Sequence, residues 1–464
     1  MTFNSITFAF FAVVVLGLYW GPLRGRQNPV LLAASYVFYA WWDWRFLSLI
    51  VVSTFVDFTV GRRVGASAEQ ATRKRWLTVS LCVNLTILGV FKYANFFIDS
   101  FDDALGSLGL GTSGIAIDVL LPVGISFYTF QTISYSFDVY RGRLEPTQNL
   151  LDFAVYVAYF PQLVAGPIER ATRLLPQISV GQRNGPVRTV EACRLILGGL
   201  VKKVVIADGI AGTVDEVFGS ADSMHWTALI IGSFAFALQI YGDFSGYTDI
   251  ARGVSQLLGI ELVRNFTQPY LSRNITEFWR RWHISLSDWL REYLYIPLGG
   301  NRGGRFNTYR NLLLTMLLGG LWHGAAWTFV IWGALHGLFL AAHRSIGGAA
   351  PDHEVRLSDA PRILGTFTIV LVAWVFFRAD SIGSAFDIIV GIVTLQSGAS
   401  IGWDIVLVVL FGVVMLAWDL AARRVFTQVE RLPAPLVGVG GAAAVLSIVL
   451  FAGGEAVPFV YFQF

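Results

Sequence analysis

The chain has 464 residues, of which 55% are hydrophobic and only 14% are charged. A soluble protein of this length would carry far more charge on its surface, so the composition excludes an ordinary globular enzyme and indicates a chain that lives in lipid. The formal net charge of +3 is small, so no nucleic-acid partner is expected and the placement of charges matters more than their sum.

The first segment, ITFAFFAVVVLGLYW, has no basic residues before it and no small-residue cleavage site after it. It reads as a retained span and not as a removed signal peptide. Apolar segments follow at about 29–42, 46–60, 76–98, 119–138, 150–165, 192–210, 226–247, 308–322, 325–343, 363–378, 401–421 and 436–452. A crossing needs roughly 20 apolar residues, so about 11 of these are expected to cross and the short ones to be re-entrant or half-crossing. No linker or low-complexity tract divides them. The expectation is one polytopic, all-α membrane domain over residues 1–464, without an appended soluble domain. Cys82 and Cys193 stand far apart in apolar segments, which argues against a disulfide or a cysteine metal site.

Arginine and lysine placement orients the spans, because cytoplasmic loops are enriched in both. Arg24 and Arg26 follow the first span, and Arg62, Arg63, Arg73, Lys74 and Arg75 follow the third. The loop at 99–118 has Asp99, Asp102, Asp103 and Asp118 and no basic residue. It reads as outside, and the N-terminus then lies outside too. The same loop contains GLGTSG at 109–114, a formal match to G-x-G-x-x-G. No strand pattern precedes it, so the glycines signify a flexible loop and not a nucleotide site. Further along, Asp243 is an acid inside the apolar 226–247 segment, either a tunnel residue or an internal hydrogen-bond partner.

Residues 274–295 read NITEFWRRWHISLSDWLREYLY. The apolar positions Ile275, Phe278, Trp279, Trp282, Leu286, Trp289, Leu290, Tyr293 and Leu294 recur at three- and four-residue steps, which predicts an amphipathic helix. Asn274 and Glu277 suggest a capping box at its start. Such a helix is expected to lie in the membrane interface, apolar face down. His283 adjoins the apolar stripe. The loop after the helix, YIPLGGNRGGRFNTYRN, is glycine-rich, and Arg273 to Arg310 contains seven arginines against three acids. Arg280, Arg281, Arg291, Arg302 and Arg305 therefore signify either cytoplasmic placement alone or a docking surface for an acidic or phosphate-bearing cytosolic partner.

The next segments carry GGLWHGAAWTFVIWGALHG at 319–337. A helix from Thr308 to Trp322 would climb only about 22 Å, so His323 is expected within the hydrocarbon layer, where Gly319, Gly320 and Gly324 loosen the backbone. Non-helical backbone at that depth needs protein or a water-filled cavity around it, and an ionisable ring there is a functional hypothesis. The plain reading is a buried histidine bonded to a neighbouring helix. No H-E-x-x-H, no histidine pair at metal spacing and no G-x-S-x-G is present. Trp322 and Trp327 read as packing residues or substrate contacts.

FWRRWHISLSDWLREYLYIPLGGNRGG at 278–304 and MLLGGLWHGAAW at 316–327 closely resemble the membrane-bound O-acyltransferase family. The likeness is to its bacterial branch of alginate O-acetylation proteins and, more distantly, teichoic acid D-alanyl transferases. FYAWWD (38–43), LPVGISFYTFQTISYSFDVYRG (121–142), FPQLVAGPIER (160–170), GLVKKVVIAD (199–208), YGDFSGYTDIA (241–251) and the C-terminal PFVYFQF (458–464) agree, so the resemblance covers nearly the whole chain. PFVYFQF favours the alginate-type members. The resemblance implies a multi-helix bundle with a tunnel between a cytosolic donor entrance and an outer acceptor opening. It implies that His323, in W-H-G, is the essential histidine and that His283, in R-W-H-I-S-L-S, is the second signature residue, with Asp243 and Trp322 as candidate tunnel lining.

Acyl transfer to a hydroxyl needs a base, which neutral His323 would supply. His283 would polarise the thioester carbonyl or hold the donor. The implied donor is an acyl-CoA or a phosphopantetheine-linked acyl carrier thioester, with no tightly bound cofactor and no metal. The acyl group is expected to be acetyl. The implied partners are membrane lipid, the cytosolic donor or carrier protein, a polysaccharide or other cell-surface acceptor, and a periplasmic or extracellular acyltransferase partner if transfer is relayed. The implied place is the bacterial inner membrane. A secondary transporter also has broken helices and midplane polar residues, but no inverted repeat is visible. A non-catalytic scaffold would not need His283 and His323.

Overall fold

The computed structural model describes residues 1–115, 119–348, 354–422, 434–452 and 459–460. Among these residues the architecture is helical, with one isolated β-bridge between Met224 and Ala399. Five helical stretches are long and apolar enough to cross a membrane by length and composition: Arg24–Ala66, Gln70–Ser107, Trp226–Leu257, Leu357–Arg378 and Asp404–Ala421. Other expected spans fold as shorter or interrupted helices. The 150–165 segment breaks at Tyr159 into Leu150–Ala158 and Phe160–Leu163. The 192–210 segment widens into a π-helix over Val201–Ala207.

The acidic segment at 99–118 is not wholly a loop. The helix Ala94–Ser107 takes its first half, because Phe96, Phe97, Phe101 and Leu105 continue a helical apolar pattern. GLGTSG follows as loop, with Gly109, Gly111 and Gly114 at positive φ and no strand before it. Asp118 lies outside the described residues.

The chain packs as two compact units. One comprises Met1–Arg194 with Ala251–Val263. Its centre is a buried carboxylate. Asp57, in the helix Leu47–Ala66, accepts hydrogen bonds from Asn84 Nδ2 at 2.7 Å and Ser136 Oγ at 2.6 Å, and from Ser80 Oγ. These donors come from two further helices, Gln70–Leu88 and Ile125–Tyr140. A buried carboxylate is costly unless its lone pairs are satisfied, so this cluster fixes the register of three helices.

The other unit comprises Leu195–Ile250 with Arg264–Phe464. Its centre is the antiparallel pair Arg305–His323 and Trp327–Ser345. The first helix starts at Arg305, not Thr308, and runs on to His323. Its 19 residues rise roughly 28 Å, close to a hydrocarbon core of about 30 Å. The helix is thus longer than the expected climb of about 22 Å. Gly319 and Gly320 remain helical. They do not loosen the chain; Gly320 lets the backbone of Phe329 approach, and Gly333 does the same for the carbonyl of Met316. Small residues at such crossings gain close van der Waals packing where lipid offers no hydrophobic drive between helices. The turn falls at Gly324, which is extended (φ −153°, ψ 150°) and leaves no room for a side chain against the Phe329 ring.

Two helical glycines separate packing from propensity. A methyl group at Gly333 would meet Met316, whereas Gly365 faces open space. Gly333→Ala should destabilise by about 1–3 kcal/mol through overpacking, and Gly365→Ala should be neutral or stabilising by up to about 1 kcal/mol. Thermal unfolding of the two purified variants in the same detergent checks this, and equal midpoints would contradict the packing account.

Candidate active site

The expected continuous helix over 274–295 is interrupted. Asn274 caps a helix Ile275–Arg281, its side chain accepting from the Glu277 amide at 2.8 Å. The reciprocal half of the capping box is absent, because Glu277 is engaged elsewhere. It accepts from the Arg273 amide at 2.8 Å, from the Arg273 guanidinium at 2.8 Å and from Arg281. Asp359 lies 3.4 Å from Arg273 on its other side. Burial alone would raise the Glu277 carboxyl, but the bonds and charges of the two arginines outweigh it and hold it below the ordinary glutamate range.

After Arg281 the chain leaves helical geometry. Trp282 is extended and His283 is left-handed, at φ 43° and ψ 55°, before a second helix Ile284–Trp289 begins. A residue other than glycine in this region is uncommon, although histidine visits it more than most, and it persists only where surrounding bonds over-determine it. Here those bonds come from the 265–267 segment. The Ile284 amide donates to Asn265 O at 2.9 Å, the Ser285 amide to Asn265 Oδ1 at 3.1 Å, and the Thr267 amide to Arg281 O at 3.0 Å. The segment does not expose a flat amphipathic face. Phe278, Trp279, Trp282, His283 and Leu286 are buried, with Trp282 and His283 both at 0% exposure.

The break turns His283 toward the end of the Arg305–His323 helix. The His283 and His323 rings lie 6.3 Å apart between centroids. Both are buried. Phe244 packs edge-on to His283 at 4.7 Å, and Trp322 touches both histidines, at 6.1 Å and 5.1 Å. His323 rests against Trp332 at 5.0 Å and Phe377 at 5.4 Å. Among the described residues neither ring nitrogen of His283 has a hydrogen-bond partner. Buried polar atoms are nearly always bonded, so such atoms ask for a ligand or water. Two imidazoles within one substrate's reach can move a proton and polarise a carbonyl, which is acyl-transfer or hydrolytic chemistry.

The other sequence candidates separate. Asp243 is buried, ion-paired through Oδ1 with Lys203 Nζ at 2.9 Å, and accepts from the Val460 amide at 2.6 Å through Oδ2. Lys203 also holds Asp208 at 2.7 Å. Trp327 is exposed. Arg280, Arg291, Arg302 and Arg305 are exposed, whereas Arg281 turns to Glu277 and is half-buried. Of PFVYFQF only Phe459 and Val460 lie among the described residues. Among these residues no group of His, Cys, Asp or Glu is arranged to hold a metal ion.

Trp332 and His336, which nothing in the sequence singled out, pack beside the site. His336 accepts from Trp279 Nε1 at 3.3 Å and packs on Trp332 at 4.7 Å. Trp332 and His336 are four residues apart on one helix, the spacing that puts side chains on one face. His336→Ala should leave the Trp279 N–H unpaired at about 1–3 kcal/mol, added to the cost of a cavity. His336→Asn, which can accept that bond, should recover part of the loss. Scanning fluorimetry of both purified variants measures this, and an unchanged midpoint for the alanine variant would contradict it.

Comparison with known proteins identifies the family. The model of the membrane-bound O-acyltransferase family matches residues 144–386, a span that includes His283 and His323. The chain is 48% identical to a probable alginate O-acetylase AlgI of Azotobacter vinelandii over 83% of this chain and 76% of that one. It is 38% identical to a peptidoglycan O-acetyltransferase of Helicobacter pylori over 85% of this chain and 80% of that one. It is 28% identical to a teichoic acid D-alanyltransferase of Streptococcus thermophilus over 55% of this chain and 68% of that one. With the helical fold and a matched segment that carries both buried histidines, the chain belongs to the membrane-bound O-acyltransferase family.

Proposed function

We propose that this O-acyltransferase moves an acetyl group from a cytosolic thioester to a hydroxyl of an exported polysaccharide, with His323 as general base. The observation that carries the reading is the pair of buried imidazoles with centroids 6.3 Å apart, brought together from two separate segments. A neutral imidazole suits proton abstraction near neutral pH. His283, whose ring nitrogens have no partner among the described residues, polarises the thioester carbonyl or holds the donor. The acetylated polymers named for the relatives support acetyl and a polysaccharide acceptor.

The donor is an acyl-CoA or a phosphopantetheine-linked carrier thioester, bound as substrate and not as resident cofactor. Arg280, Arg291, Arg302 and Arg305 form its cytosolic docking surface by attracting phosphate or acidic side chains. The acyl group reaches the polymer directly or through a periplasmic or extracellular partner. The charge bias of the loops supports an inner-membrane protein with its N-terminus and the 99–118 segment outside and the 273–310 segment in the cytosol. Residues 1–464 act as one membrane-embedded acyltransferase domain.

His323→Ala should keep normal expression and helix content and lose about 10²–10⁴-fold in transfer rate. The measurement is transfer of label from acetyl-CoA to alginate oligosaccharides by purified protein in lipid vesicles. A folded His323→Ala protein working at near wild-type rate would overturn the assignment.

A further inference from the structure

Trp332 is 1% exposed. Among the described residues its indole Nε1 has no hydrogen-bond partner. An indole N–H is a donor only, so the atom it calls for is an acceptor oxygen. Three features separate it from an ordinary core tryptophan. The ring meets His323 at 5.0 Å and almost edge-on, at 85°. It is held on its other sides by His336 at 4.7 Å, Phe377 at 5.3 Å and Trp374 at 5.9 Å, which leaves its orientation little freedom. Its helix is fixed against the helix of His323 through the next residue, Gly333, which packs on the Met316 carbonyl. A rigid, unpaired donor beside the base is what a preorganised charge-stabilising group requires.

We propose that Trp332 is a further catalytic residue, whose indole N–H donates to the substrate oxygen that becomes negative during transfer. The inference rests on the reading of His323 as base. In the step, the acceptor hydroxyl gives its proton to His323 and its oxygen bonds to the thioester carbonyl carbon. The carbonyl π pair moves onto its oxygen, and the Trp332 N–H stabilises that oxyanion. The intermediate collapses by re-forming the carbonyl and breaking the C–S bond. The leaving thiolate takes the proton from His323, so atoms and charge balance. The ligand chemistry that Trp332 recognises is thus an acyl carbonyl, and not the acceptor sugar.

The test uses full-length protein in lipid vesicles, with acetyl-CoA as donor, alginate oligosaccharides as acceptor and thiol release as the readout. Trp332→Phe keeps an aromatic ring and removes the N–H. Replacement of Trp332 by benzothienylalanine keeps the bicyclic shape and substitutes sulfur for N–H. Both should lower kcat by about 10²–10³-fold while the KM for acetyl-CoA stays within a few-fold. If benzothienylalanine restores the wild-type rate while phenylalanine does not, Trp332 only packs and the proposal is overturned. Wild-type rates in both variants overturn it as well. If Trp332→Phe does not fold, the benzothienylalanine protein decides alone. His323→Ala in the same assay separates the two ideas: an active His323→Ala enzyme removes the base, whereas an inactive one beside fully active Trp332 variants removes only the indole donor.

Discussion

One backbone conformation organises the site. His283 is left-handed between two short helices, and the bonds from Asn265 hold it there. Were the segment one straight helix, as its periodicity suggests, Trp282 and His283 would continue the helical spiral. The break redirects His283 toward the end of another helix. Strain of order 1–3 kcal/mol is typical for such a residue, and three hydrogen bonds to the 265–267 segment offset it. The buried Arg273–Glu277–Asp359 cluster anchors the start of the same segment, so the break is fixed from both ends.

The second constraint is the close approach of Arg305–His323 and Trp327–Ser345. Glycine at 320 and 333 brings the two backbones together. That contact sets Trp332 against His323, and His336, one turn beyond, packs on Trp332 and accepts from Trp279. Aromatic rings dominate this region, including Trp322, Trp374 and Phe377. Large rings exclude water around the histidines, which strengthens each polar contact made there.

Much of this was legible in the residues. Composition gave a helical membrane protein, and the motifs around His283 and His323 gave the family. The break at Trp282–His283 was not legible, because Trp282 is buried either way and the 3.6-residue pattern runs through it unchanged. The φ of one residue is decided by a distant partner, Asn265, which no local pattern encodes. Trp332 was missed for a related reason: an indole in an apolar helix looks like core until its unpaired N–H and its neighbour are both known. The capping box was half right, since Asn274 caps as expected while Glu277 turns to arginines. Charge counting found the arginine-rich stretch but could not tell Arg281, which is ion-paired, from exposed Arg302 and Arg305.

The central claim is that His283 and His323 act together on the thioester carbonyl. The most direct measurement is a cryo-EM structure of the full-length protein with acetyl-dethia-CoA, in which a methylene replaces the thioester sulfur and transfer is blocked. The account predicts the carbonyl in contact with both imidazoles, with a hydroxyl position at about 3–3.5 Å from its carbon on the His323 side. A carbonyl lodged elsewhere, in contact with neither ring, would contradict it.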